Sequence, residues 1–161
     1  MKLISTFNKI VLTSVIVSLS VTSTAMAKGK KPKPSFAADP KIVIKTFNGK
    51  TWMWSKGGSY WGAGGKFEAV WDESVGLGKW YVTTKGTLCY EAVWYGPGES
   101  DDVIKRCWDH VTDEDGFLWQ QSTKKADIKK WGWYVFVPSK KLEKGNKIKS
   151  QANKLKRANG I

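Results

Sequence analysis

From Thr51 to Val137 the chain is built of short runs in which apolar and polar residues alternate, and each run is cut by a turn. The turns fall at Lys56-Gly57-Gly58, Gly62 to Gly65, Glu73 to Gly78, Gly96 to Asp102 and Asp113 to Gly116. These residues tolerate positive φ or cap their own backbone, so each stretch ends a strand. The spacing predicts strands near 51–55, 59–62, 66–72, 78–84, 87–95, 103–110, 116–122 and 131–137. The expected fold class is therefore all-β, an antiparallel meander forming a small barrel or curled sheet.

All ten tryptophans lie between Trp52 and Trp133. Phe67-Glu-Ala-Val-Trp71 returns 23 residues later as Tyr90-Glu-Ala-Val-Trp94, as expected of two equivalent strands in one sheet. Alternation puts Phe67, Ala69 and Trp71 on one face, with Glu68 and Val70 on the other. Tyr90, Ala92 and Trp94 likewise oppose Cys89, Glu91 and Val93. In the next strand Ile104, Arg106, Trp108 and His110 share a face opposite Lys105, Cys107 and Asp109. Both faces are partly apolar, which leaves three arrangements open: a barrel with a filled interior, a face covered by the chain ends, or an exposed aromatic face that binds a ligand.

The chain begins like an exported protein. Lys2 and Lys9 flank a polar start, Ile10 to Val21 is apolar but short for a membrane span, and Ala25-Met-Ala27 has the small residues of a cleavage site. Residues 1–27 read as a secretory signal peptide, 28–38 as a basic linker, 39–139 as the Trp-rich domain and 140–161 as a basic tail. Export to the periplasm or beyond makes Cys89 and Cys107 a disulfide, with a loop-closure contribution of roughly 3 kcal/mol.

Asp39 can cap a short helix over 41–47 with Pro40 at its first position and Asn48-Gly49 at its end. Its side chains Ile42, Ile44 or Phe47 are the ones expected to meet the sheet. Ile148, Ala152 and Leu155 recur at helical spacing in the tail, leaving an amphipathic helix and a disordered basic segment both open.

The formal charge of +13 is carried by the two ends. Residues 28–49 hold six Lys against Asp39, and 140–161 hold seven Lys and Arg157 against Glu143; between them eleven basic residues face twelve acidic ones. Such ends favour an anionic envelope surface, lipopolysaccharide or an acidic polysaccharide, while nucleic acid is a partner an exported protein seldom meets.

Gly49-Lys-Thr-Trp52, Gly57-Gly-Ser-Tyr-Trp61, Gly65-Lys-Phe67, Gly78-Lys-Trp80, Gly86-Thr-Leu-Cys89, Arg106-Cys-Trp108 and Gly116-Phe-Leu-Trp119 resemble the pattern of a proteobacterial family of small exported proteins catalogued as a domain of unknown function. The resemblance runs over about residues 39–149. It implies a signal peptide, a β-rich domain and a paired disulfide, and it implies no activity.

No complete catalytic motif is present. His110 is the only histidine, Asp109 beside it points to the other strand face, and no nucleophile-elbow sequence accompanies it. One histidine and two paired cysteines exclude the usual zinc sets, so no metal or other cofactor is expected. Glu68 and Glu91 are the one carboxylate pair that a glycan hydrolase could use. The leading expectation is a non-enzymatic binding protein of the cell envelope that stacks sugar rings on Trp61, Trp71, Trp94, Trp108 and Trp119, with Arg106 supplying polar contacts. A protein-interaction module using the same aromatic patch is the alternative.

Overall fold

The computed structural model describes residues 29–99 and 102–161; the leader expected at 1–27 lies outside them. The chain runs β1 (Phe36–Ala37), α1 (Pro40–Phe47), β2 (Lys50–Trp54), β3 (Gly57–Trp61), a single 3-10 turn (Ala63–Gly65), β4 (Lys66–Trp71), β5 (Ser74–Val82), β6 (Leu88–Tyr95) and β7 (Ile104–Thr112). It continues through β8 (Leu118–Ser122), α2 (Lys125–Lys130), β9 (Tyr134–Val135), α3 (Pro138–Lys141), β10 (Leu142–Lys144) and α4 (Lys149–Ala158). The strands form one antiparallel sheet in the order β10-β2-β3-β4-β5-β6-β7-β8-β9, with β1 added along β7. The sheet curls without β9 and β10 meeting, so it is a half-barrel. Cys89 and Cys107 stand opposite each other in the β6–β7 register and form the expected disulfide.

Helix α1 forms as its capping signals dictate. The Asp39 carboxylate accepts from the Lys41 amide at 2.8 Å, Pro40 fills the first turn, and the Lys50 ammonium donates to the Thr46 carbonyl at 2.7 Å near the other end. The residues it buries are Val43 and Phe47, one helical turn apart. Ile42 and Ile44, expected at the interface, are exposed, because the i, i+4 pair fixes which face turns inward. Phe47 enters the hollow of the sheet and packs on Trp52, Trp61, His110 and Phe136. Trp61 is the hub of this interior, meeting Phe67, Trp80, Tyr90 and Trp108 as well.

The repeated motif acquires a geometric meaning here. β4 and β6 flank β5, and Phe67 of the first copy stacks on Tyr90 of the second with ring centres 4.2 Å apart. The sequence places Ser74 to Gly78 in a turn, but they belong to β5 and the reversal is confined to Asp72 and Glu73. Gly76 is a strand residue for a packing reason: a side chain there would strike the Trp94 indole, which lies over it from β6. Helix α2 is an element the pattern does not announce, since KADIKK has only Ala126 and Ile128 as apolar positions. The strand expected at 131–137 is shorter, with only Tyr134–Val135 paired in the sheet.

The segment 140–161 covers the outer face of β3, β4 and β5. β10 adds to the edge of β2, and α4 lays Ile148, Ala152 and Leu155 on Val70, Val75, Tyr60 and Leu77. The bonds that hold it reach far along the sequence. The Thr51 hydroxyl donates to the Gly145 carbonyl at 2.6 Å, and Glu68 accepts from Asn146 at 2.8 Å and from the Lys156 ammonium at 2.7 Å. Of the arrangements left open by a sheet with two apolar faces, two coexist: a filled hollow and an outer face covered over β3 to β5. The amino-terminal arm is also tied down, through Gly29 to the Trp131 and Trp133 backbone and through Phe36–Ala37 to β7.

Candidate functional site

One end of the half-barrel is filled and the other is open. The hairpins β2–β3, β4–β5 and β6–β7 all turn at the same rim, and the last inward-facing residues before those turns are Trp54, Trp71 and Trp94. Trp54 and Trp71 meet edge to face with centres 6.0 Å apart. Below them stand Tyr90 and Arg106 as register partners, and Trp108 one step deeper, 5.5 Å from Trp52. Trp131, from the segment after α2, faces this opening and is 53% exposed.

Two adjoining hollows result. One, about 400 Å³, is bounded by Trp54, Trp71, Tyr90, Trp94, Arg106, Glu99 and Lys124. The second, about 540 Å³, shares Trp54 and Trp71 and continues to Trp52, Trp108, Trp131, Ser122, Asp127 and Tyr134. Together they form an aromatic groove across the mouth of the sheet, within the size range of small-ligand sites.

Tyr134, which lines the groove, is tied to a buried polar pair behind it. Tyr134 accepts from the Gln120 amide at 2.8 Å, and Gln120 in turn pairs through Oε1 with His110 Nε2 at 3.0 Å. Burial pushes His110 down to about 4, so the ring is neutral near pH 7 and its Nε2–H donates to Gln120. Burial likewise pushes Tyr134 up to about 12 and keeps its hydroxyl protonated. Asp127 takes a hydrogen bond from Ser122 at 2.8 Å, so its carboxylate is held at the groove wall.

Of the residues expected to form an aromatic platform, Trp71, Trp94, Trp108 and Arg106 converge here. Trp61 does not: it is fully buried at the centre of the interior, because it stands at the far end of β3, four residues from Gly57 at the open rim, and packs on Phe47 of the plugging helix. Trp119 does not either; it points to the outer face of β8, opposite in alternation to Gln120, and its indole donates to Asp113 at 2.8 Å. The groove residues that the sequence reading missed are Trp52, Trp54, Trp131 and Tyr134. Trp52 and Trp54 could have been found, since the same alternation that groups Trp71 with Phe67 groups them on one face of β2.

Glu68 and Glu91 both lie on the outer face, away from the groove. Burial raises Glu68, but its bonds to Lys156 and Asn146 outweigh this and hold it below the ordinary carboxylate range. Glu91 is lowered by the Tyr81 hydroxyl and by Lys105 and Lys79. A general acid needs the opposite shift, so these carboxylates are structural ties. Among the described residues no cluster of three or more His, Cys, Asp or Glu stands where it could hold a metal ion. Nor is any described helix long and apolar enough to cross a membrane.

Fold and site together define a disulfide-linked antiparallel half-barrel, plugged at one end by a helix and lined with tryptophan at the other. The chain belongs to the family described as protein of unknown function DUF995, whose family model matches residues 14–161. No curated protein and no solved structure matches it.

Proposed function

We propose that this is an exported, non-enzymatic binding protein of the cell envelope whose groove holds a glycan chain. The observation that carries the reading is the convergence of Trp54, Trp71, Trp94 and Trp108 with Arg106 at an open rim, beside the hydroxyls of Ser122 and Tyr134 and the Asp127 carboxylate. Indole faces stack on the apolar faces of sugar rings, and Asp127, Ser122, Tyr134 and Arg106 offer both acceptors and donors to hydroxyls. Rigid aromatic side chains make such contacts with little loss of conformational freedom. The signal-like amino terminus and the disulfide support an exported setting.

The test is titration of the oxidised protein with soluble peptidoglycan fragments, core oligosaccharides of lipopolysaccharide and neutral oligosaccharides, followed by tryptophan fluorescence. A saturable change that survives moderate salt and is weakened severalfold in Trp54→Ala and Trp71→Ala supports the groove. A response abolished by salt alone and untouched by those variants sinks it.

A further inference from the structure

The groove does not stop at Trp131. Beyond it lies a cavity of about 570 Å³, larger than either hollow of the groove and sharing Trp52, Trp131 and Tyr134 with the nearer one. Its character differs from theirs. Trp133 adds a fourth ring, Lys130 and Lys141 stand at its edge, and no carboxylate lines it among the described residues. Asp127 remains on the groove side of Trp131, bonded to Ser122. The two lysines are exposed, and a third cation, the Lys31 ammonium, sits 5.6 Å from the Trp133 ring.

We infer that this cavity is a subsite for an anionic sugar unit, and that the ligand of the groove is an acidic oligosaccharide long enough to run from Arg106 to Lys141. The inference rests on the glycan reading above and adds to it the charge and the length of the ligand. Three spaces of about 400, 540 and 570 Å³, joined through shared rings, fit a chain of sugar units better than one ring. Cations stand at both ends, Arg106 and Lys124 beside Glu99 at one and Lys130 and Lys141 at the other, and Asp127, held by Ser122, is the carboxylate of the middle hollow. Lysine beside an aromatic wall suits a carboxylate or a phosphate on a sugar: the ring stacks and the ammonium meets the charge.

The amino-terminal arm forms one wall of this subsite. The Gly29 amide donates to the Trp131 carbonyl at 3.1 Å and the Trp133 amide to the Gly29 carbonyl at 3.0 Å, which bridges the arm to the segment that carries both rings. A Cβ at position 29 would collide with the Trp133 carbonyl. Gly29→Ala therefore displaces the wall without touching the lysines.

The experiment uses the full-length oxidised protein and matched pairs of probes: hexagalacturonate against its methyl ester for the carboxylate, and a phosphorylated malto-oligosaccharide against the unmodified chain for the phosphate. At low ionic strength the acidic member of one pair should bind about tenfold or more tighter, with the advantage shrinking as salt rises. The pair that responds identifies the acidic group. In a Lys130→Ala/Lys141→Ala double variant the acidic preference should fall toward that of the neutral chain, and Gly29→Ala should weaken it as well. Equal binding of acidic and neutral chains, or a preference that survives loss of both lysines, overturns the inference while the groove still stands. Absence of binding by every chain overturns both.

Discussion

The same residue type does opposite things at the two ends of this sheet. At the plugged end Trp61 and Trp80 are sealed among Phe47, Phe67 and Tyr90; at the open end Trp54, Trp71, Trp94 and Trp131 keep part of their rings in solvent. What separates them is their position along the strand relative to the end that α1 fills. Tryptophan content alone therefore says little about function in such a fold, and distance from the rim says a great deal.

The contrast is broken most severely at its buried pole. Trp61→Ala should lower stability by about 3–5 kcal/mol, measured by chemical denaturation, because five neighbouring rings lose contact with the indole. A small effect there would mean that the interior is looser than its packing indicates.

His110 tests the buried polar pair that it forms with Gln120 in the interior. Its folded value is depressed, so the unfolded chain binds a proton at higher pH than the folded one does. Stability should be intact above about pH 6.5 and fall as pH drops toward 4, by up to about 3 kcal/mol. A His110→Gln variant should lose that dependence; a variant with the same slope as the parent would place the acid sensitivity elsewhere.

Glu68 tests the covered outer face. Glu68→Gln keeps the shape of the side chain but removes the charge that Lys156 meets, and a cost of about 1–3 kcal/mol is expected, since Lys156 stays partly solvated. The folded carboxylate is below its ordinary range, so this contribution is present above about pH 5 and fades as acid protonates the carboxylate. Loosening of α4, read by hydrogen exchange, should accompany it.

Smallest in stability and largest in binding is Trp71→Ala. At 43% exposed the ring should cost well under about 2 kcal/mol when removed, with groove affinity falling severalfold. Gly76→Ala sharpens the same end of the comparison, since it pushes the Trp94 ring out of place while leaving every groove side chain present.

Much of this was legible. Turn chemistry located most strands, Asp39-Pro40 located α1, and the paired cysteines stand opposite each other as partners in one hairpin. Three things were hidden, each for a physical reason. Gly76 and Gly78 read as turn residues because glycine carries no record of whether it is bending the chain or making room, here for the Trp94 ring and for the Glu91–Ala92 backbone. Trp61 read as platform because alternation assigns a face but not an end. Helix α2 was missed because its short sequence shows no apolar stripe; what ties it to the sheet is the bond from Ser122 of β8 to Asp127.

The tie between α4 and the early strands also governs when the molecule can become itself. Thr51 is joined to Gly145 and Glu68 to Lys156, contacts separated by 94 and 88 positions, so the outer face of β4 stays bare until the last elements exist. Pairings of such long range are slow to form, because the whole intervening chain must be ordered before they reward it. A chain that emerges amino terminus first, from a ribosome or through a membrane pore, therefore passes most of its length in an unfinished and threadable state. Only when Ile148 and Ala152 reach Val70 and Val75 does the sheet acquire its second covered face.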